Sequence, residues 1–296
     1  MMPPPKLPEW LKQLYPFTPD FITTPAGARM SYLDEGPRSD ETVLMLHGNP
    51  TWSFYYRELV MALSPTQRCV VPDHIGMGLS EKPRDYAYTL ERRIADIEAL
   101  VMSLELKRVH LVVHDWGGAI GFGFAARHPD LIGRILIMNT AAFRMELIPA
   151  RIQLCKLPMV GPILVRAFNG FAWPATWMAM SRRSLTTDEA RAFLFPYDSW
   201  ANRVAVSAFV RDIPLHSRHP SWATLKDVET GLERFRERPV LILWGAKDFC
   251  FNNAFLAEWR RLLPEARVRR FEDAGHYVLA DARDDVVPRA VSFLSR

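Results

Sequence analysis

Asp115 stands in the run His114-Asp115-Trp116-Gly117-Gly118, after the apolar stretch Val109 to Val113 and before a helical pattern from Ala119 to Arg127. A polar residue on a tight strand-to-helix turn, followed by glycines that let the helix approach closely, has the geometry of a nucleophile elbow. Esterases built this way carry serine at that place; this chain carries a carboxylate, with Val113 where a small residue is usual. A carboxylate is already ionised at neutral pH, so it attacks a saturated carbon without a base, provided the leaving group is stabilised as it departs. The first product is an ester, whose hydrolysis needs an activated water.

Two later segments supply groups for that second step. Trp244-Gly245-Ala246-Lys247-Asp248 follows one apolar run and offers an acid; Asp273-Ala274-Gly275-His276 follows the next and offers an imidazole. Alone, an aspartate after a strand is more often a helix cap, and a lone histidine a satisfied structural residue. Nucleophile, acid and base in this order, at the ends of successive strands, match the triad of the α/β-hydrolase fold. His276 is then the base that takes a proton from water, and Asp248 holds its tautomer. Earlier, His47-Gly48-Asn49-Pro50-Thr51-Trp52-Ser53 follows the run Thr42 to Leu46. In this fold that loop supplies one backbone N–H to an oxyanion, and the residue after the nucleophile supplies the other. Asn49 and Trp116 fill those places, and each side chain brings a further N–H that can face a departing anion. His47 and His114 read as structural, as does the glycine-bearing loop Asp73 to Ser80. Cys250, far from the elbow, is not read as a nucleophile.

These residues need a scaffold that presents strand ends together. Short apolar runs recur at Thr42 to Leu46, Cys69 to Val71, Val109 to Val113, Arg134 to Met138, Val240 to Trp244 and Arg267 to Phe271, with helical patterns between most of them. That alternation predicts an α/β fold with a mostly parallel central sheet covered by helices. Leu90, Ile94, Ile97, Val101 and Leu104 form one apolar stripe and predict a helix from about Thr89 to Leu104. Strand signals vanish between Ala142 and about Arg238, where Phe168, Phe171, Trp173, Trp177, Met178 and Met180 gather. Such a stripe usually means helix packing, yet its position makes it a candidate lid over the strand ends. The expected division is an α/β-hydrolase core, residues 1–141 and 239–296, with a helical cap inserted at 142–238.

Composition bounds the rest. The chain has 296 residues, 49% hydrophobic and 24% charged, which suits one large folded unit and excludes disorder, fibre and coiled coil. Net charge is +4, but ten basic and five acidic side chains fall between Arg144 and Pro220, so the positive field is concentrated there. It is read as a solvated helical surface, with attraction to an anionic partner or membrane surface as the alternative. Nothing resembles a nucleic-acid-binding or nucleotide-cradling motif. Cys69, Cys155 and Cys250 are odd in number and far apart, which suits a reducing compartment. The proline-rich start lacks the apolar run of a signal peptide, and no apolar stretch reaches membrane-spanning length, so a cytoplasmic location is expected. Scattered histidines without HExxH spacing predict neither metal nor organic cofactor. The cluster Trp10, Leu11, Leu14 and Phe17 reads as an N-terminal segment docked on the core, with a partner surface as the alternative.

The motifs HGNPTWS, HDWGG, GAKD and GHYV resemble those of the haloalkane dehalogenases, in order and spacing, over nearly the whole chain. Some members of that family take the triad acid from the strand before the lid and others from the strand after it. Asn139 at the earlier place and Asp248 at the later resemble the branch that combines an Asp-His-Asp triad with an Asn-Trp halide pair. That branch also contains β-lactone decarboxylases of long-chain olefin biosynthesis, to which Pro72 to Ser80, Asn139 to Phe143, Arg211 to Leu215 and His276 to Leu279 are similar. The resemblance implies attack by Asp115 on a carbon–halogen bond and hydrolysis of the ester by water activated at His276. Asn49 and Trp116 hold the halide, and no cofactor is involved. The alternative it implies is decarboxylation of a cis-3,4-dialkyl β-lactone to a cis-olefin and carbon dioxide; the motifs leave open which ring carbon Asp115 attacks. The expected partners are a small apolar substrate and water, with a homo-oligomer or olefin-pathway enzymes as further possibilities. Epoxide hydrolases resemble one another in two lid tyrosines, whereas residues 142–238 hold one, Tyr197. Fluoroacetate dehalogenases have an arginine where Trp116 stands. A non-catalytic member would be expected to have lost part of the triad.

Overall fold

The structure, a computed structural model, describes residues 6–145 and 148–295. The proline-rich start at 1–5 lies outside the described residues. Eight strands form one sheet: β1 (Asp20–Thr23), β2 (Arg29–Glu35), β3 (Glu41–Leu46), β4 (Arg68–Pro72), β5 (Arg108–Asp115), β6 (Ile132–Thr140), β7 (Val240–Gly245) and β8 (Arg267–Phe271). Their order is β1-β2-β4-β3-β5-β6-β7-β8. Pairing is antiparallel at β1–β2 and β2–β4 and parallel from β4 to β8. All six apolar runs are strands. The two antiparallel strands escape the sequence reading because they are short or interrupted by charge, as in Arg29-Met30-Ser31-Tyr32-Leu33-Asp34-Glu35.

The central strands are apolar throughout because both faces are covered. Along β3, Leu44 and Leu46 enter one hydrophobic core while Val43 and Met45 enter the other; alternate side chains of a strand point to opposite faces. One face carries α3 (Leu90–Ser103) and α4 (Trp116–Arg127). Thr89 caps α3 by accepting from the Arg92 N–H, and the stripe Leu90, Ile94, Ile97, Val101 is buried, as its spacing predicts. The other face carries α2 (Arg57–Leu63) against the C-terminal helix Arg283–Leu294. Ahead of β1, α1 (Glu9–Leu14) buries Leu11, while Trp10, Leu14 and Phe17 pack partly buried against that same core. The N-terminal cluster is therefore docked.

Between β6 and β7 the described residues form helices and no strand: α5 (Ala150–Lys156), α6 (Val160–Pro162), α7 (Ala172–Met178), α8 (Thr187–Leu194), α9 (Val204–Arg211) and α10 (Trp222–Gly231). The last packs against α3 and α4. The aromatic stripe divides. Phe171 and Met178 turn toward a cavity and Met180 is buried, but Phe168, Trp173 and Trp177 are 72%, 57% and 59% exposed. Helix packing does not account for those three.

Candidate active site

The strand ends β3, β5, β6 and β7 open toward one place because parallel strands all point their C-termini the same way. Asp115 ends β5 with φ 52° and ψ −127°, a conformation that a non-glycine residue holds only when its surroundings dictate it. Two glycines make the turn possible. A Cβ on Gly117 would lie 2.0 Å from the Leu46 carbonyl oxygen, and one on Gly48 would lie 2.1 Å from Asp115 Oδ1. The elbow and the loop after β3 are thus pressed together with no room for side chains.

That contact serves the carboxylate. The Asn49 backbone N–H donates to Asp115 Oδ1 at 2.6 Å, and the Trp116 backbone N–H adds a second bond. Both expected oxyanion donors therefore converge on the one carboxylate. Its Oδ2 faces His276 Nε2 at 3.7 Å. Burial raises the Asp115 carboxyl above the usual range, opposed by His276 and by the two backbone donors.

His276 Nδ1 lies 2.7 Å from Asp248 Oδ2. Four hydrogen bonds hold Asp248: that one, a second to Oδ2 from Asn139 Nδ2 at 2.9 Å, and two to Oδ1 from the backbone N–H groups of Cys250 and Phe251 at 2.6 and 3.1 Å. Burial pulls the imidazole down, but the charge of Asp248, its hydrogen bond and the charge of Asp115 outweigh it, so His276 titrates above its ordinary 6.5. The arrangement can fix a tautomer with Nδ1–H toward Asp248, leaving Nε2 turned toward the carboxylate of Asp115.

Asn139 is the residue that sequence reasoning undervalued. Standing at φ 30°, it exchanges hydrogen bonds with Gly245 at 2.8 and 3.0 Å while donating to Asp248, so it ties β6 to the acid on β7. Its place as the vacant acid position was legible; its bond to the acid that replaces it needed the fold. Asp281 was also missed. Buried, it accepts from the backbone N–H groups of Gly275, Ser181, Arg182 and Arg183, joining the His276 loop to the segment after α7.

His47 is neutral and structural: Nδ1 donates to the Gly48 carbonyl at 2.8 Å, Nε2 accepts from the His74 N–H at 3.1 Å, and burial pushes its pKa down to about 4. The His114 Nε2 lies 2.9 Å from the His276 carbonyl oxygen. The loop after β4 is also as expected, with Asp73 accepting from the Ser53 and Leu79 N–H groups and Gly76 and Gly78 at positive φ. Burial raises the Cys250 thiol well above its usual range, and Asp248 and Asp115 add to the effect, so it is a poor nucleophile.

A cavity of about 330 Å³ runs from these groups into apolar surroundings. Asn49, Asp115, Trp116 and His276 lie on its wall, with Ile152, Phe171, Pro174 and Met178 contributed by the helical segment and Phe249 and Phe251 by the loop after β7. Arg93, buried and ion-paired with Asp212 at 2.7 Å, sets its guanidinium 5.2 Å from the Trp116 ring and 3.6 Å from that of Phe209. This wedges the indole from behind. The Asn49 side-chain Nδ2 donates to the Val206 carbonyl at 3.1 Å, which occupies one of its two N–H groups, and its Oδ1 is buried without a partner. Tyr197 bonds the Thr51 carbonyl at 3.3 Å and is not among the cavity-lining residues.

A family model for the α/β hydrolase fold matches residues 41–282. The chain belongs to the α/β hydrolase fold family. Within it, this hydrolase-fold chain is 44% identical over 291 residues to a cis-3-alkyl-4-alkyloxetan-2-one decarboxylase of Shewanella oneidensis, covering 96% of this chain and 91% of that protein. A protein of the same name from Xanthomonas campestris pv. campestris is 44% identical, covering 95% of this chain and 97% of its own length. Haloalkane dehalogenase 2 of Mycobacterium bovis is 28% identical, covering 93% and 94%. Among solved structures, haloalkane dehalogenase DbeA from Bradyrhizobium elkani superposes with a TM-score of 0.85 at 24% identity, covering 94% of this chain and 98% of that one. The resemblance read from the motifs is borne out for both groups, and neither the decarboxylase nor the dehalogenase reading is excluded by the other.

Proposed function

We propose that this protein decarboxylates a cis-3,4-dialkyl β-lactone, with Asp115, His276 and Asp248 as its catalytic groups and Asn49 and Trp116 holding the departing anion. The observation that carries the choice is the 44% identity, along almost the full length, to two oxetan-2-one decarboxylases, against 28% for the dehalogenase. The deep apolar cavity supports it, since two alkyl chains need a large apolar site with few polar groups. Residues 142–238 act as the cap over a core made of 1–141 and 239–296. Three free cysteines support a reducing, cytoplasmic setting; no helix among the described residues is long and apolar enough to cross a membrane.

Oδ2 of Asp115 attacks the ring carbon that bears oxygen, while Oδ1 is held by the Asn49 backbone N–H. The carbon–oxygen bond breaks, and the released carboxylate is held by Trp116 and the free N–H of Asn49. Carbon dioxide then departs from the neighbouring carbon, its bonding pair forms the double bond, and the ester bond to Asp115 breaks, restoring the carboxylate. Inversion in the first step followed by anti elimination in the second gives a net syn loss, so a cis lactone yields a cis olefin. The cycle consumes no water.

Carbon–halogen cleavage is the second reading, favoured by the spacing of His276 from Asp115. At 3.7 Å, Nε2 is too far for a direct hydrogen bond and suits a water held against the ester carbon. Incubation with a cis-3,4-dialkyl oxetan-2-one and, in parallel, a 1-haloalkane separates the two: olefin with carbon dioxide in the first arm is expected, and halide release without any olefin would transfer the assignment to dehalogenation. Asp115→Asn is expected to lower turnover at least about 10³-fold on the confirmed substrate.

A further inference from the structure

The outer surface of the helical segment is unusually apolar. Leu157, Met159, Ile163, Phe168, Trp173 and Trp177 are 47%, 81%, 50%, 72%, 57% and 59% exposed. Outside residues 154–177, only Met61, Met102 and Trp200 are large apolar side chains of that exposure among the described residues. The exposed side chains follow one continuous path: α5 packs on α6, α6 runs into the turn Ile163–Ala167, and Asn169 at φ 52° redirects the chain into α7, where Trp173 and Trp177 meet edge to face at 6.5 Å.

Charge accompanies this surface. No acidic residue occurs from 148 to 187, while Arg151, Lys156, Arg166, Arg182 and Arg183 do. The last two are neutralised by Asp273, Asp285 and Glu189. Among the described residues, Arg151, Lys156 and Arg166 form no ion pair; they meet carbonyl oxygens, a thioether and aromatic rings. Tryptophan and phenylalanine beside cations with no acidic partner among the described residues make the composition of a surface that lies in the headgroup region of an anionic bilayer. The inner sides of the same two helices, α5 and α7, supply Ile152, Cys155, Pro174 and Met178 to the cavity wall.

We propose that the outer face of α5 to α7 docks on an anionic lipid bilayer, seating the cavity mouth where a long-chain apolar substrate dissolves. The docking stands on the surface alone; the delivery of substrate rests on the reading given above. Trp173, Trp177 and Phe168 enter the acyl boundary, and Lys156 and Arg166 meet lipid phosphates.

The test is co-sedimentation of the full chain with vesicles of phosphatidylglycerol and phosphatidylethanolamine, and separately of phosphatidylcholine, with no substrate present in either arm. Partition onto the anionic vesicles is expected, falling at least ten-fold in Trp173→Ser/Trp177→Ser. Lys156→Gln/Arg166→Gln is expected to weaken it about 25-fold, since each cation near an anionic surface contributes about five-fold. Turnover of a short-chain, water-soluble substrate should be unchanged in both variants. As a check independent of any variant, brominated acyl chains should quench the tryptophan emission of the unaltered protein. Absence of sedimentation at physiological salt, or equal partition onto phosphatidylcholine, overturns the proposal. So does a self-associated species in sedimentation velocity that the tryptophan pair abolishes, which would assign the face to a second copy.

Discussion

His276 gives the sharpest distinction at the scale of single residues, because the two chemistries use it differently. A haloalkane leaves an ester on Asp115 that only water removes, whereas a lactone leaves one that expels itself with carbon dioxide. His276→Phe is therefore expected to accumulate an alkyl adduct on the peptide containing Asp115 with a haloalkane, and none with a lactone, by mass spectrometry of the digest. A stable adduct from the lactone would place a water-dependent step in that cycle. The pH profiles should diverge in the same sense. His276 titrates above 6.5 in the free protein, so the neutral base becomes more abundant as pH rises. Haloalkane turnover limited by ester hydrolysis should climb with pH through that range, while olefin formation, in which His276 takes no proton from water, stays level. The five candidate residues were chosen by type, order and spacing, and the fold brings them together. The bonds from Asn139 and Asp281 were not, because each joins residues about 100 positions or only six apart through loops whose paths no local pattern encodes.

Turns and strand ends decide whether those residues meet. Gly48 has no chemistry of its own, yet a methyl group there would overlap Asp115 Oδ1 at 2.1 Å. Gly48→Ala is expected to shift the nucleophile and lower kcat about 10²-fold, with a small effect on unfolding by urea; undiminished kcat would show that the elbow can yield. The parallel strands and the helix from Leu90 were readable because buried central strands are continuously apolar and an amphipathic helix has a clear period. The antiparallel pair Asp20–Thr23 and Arg29–Glu35 lacked both signals. The aromatic stripe misled for a related reason: periodicity reports that a helix has an apolar side and is silent about what covers it.

Across the whole molecule, the helical segment is fastened to α2 and to the loop after β3 by buried polar bonds. Arg57, 2% exposed at its side chain, pairs with Glu189 at 2.8 Å, and Glu189 also receives Arg183 and closes a capping box with Thr186 at the start of α8. Trp52 Nε1 donates to the Ala192 carbonyl at 3.1 Å. Although burial opposes it, Arg183, Thr186 and Arg57 hold the Glu189 carboxyl at about 2. A depressed carboxyl contributes stability above its unfolded value near 4.5, and that contribution disappears as pH falls toward 2. Glu189→Gln is expected to cost about 3 kcal/mol at neutral pH by leaving the buried Arg57 charge with only the longer contact to Glu58 at 3.5 Å, and to flatten the loss of stability over that acid window in urea titrations. The far edge of the sheet shows a different use of charge. β8, exposed along most of its length, carries Arg267, Arg269 and Arg270. Two such rims brought side by side would set guanidinium against guanidinium, so strand addition between neighbours is blocked at the one place where the ladder stands open beside the catalytic loop.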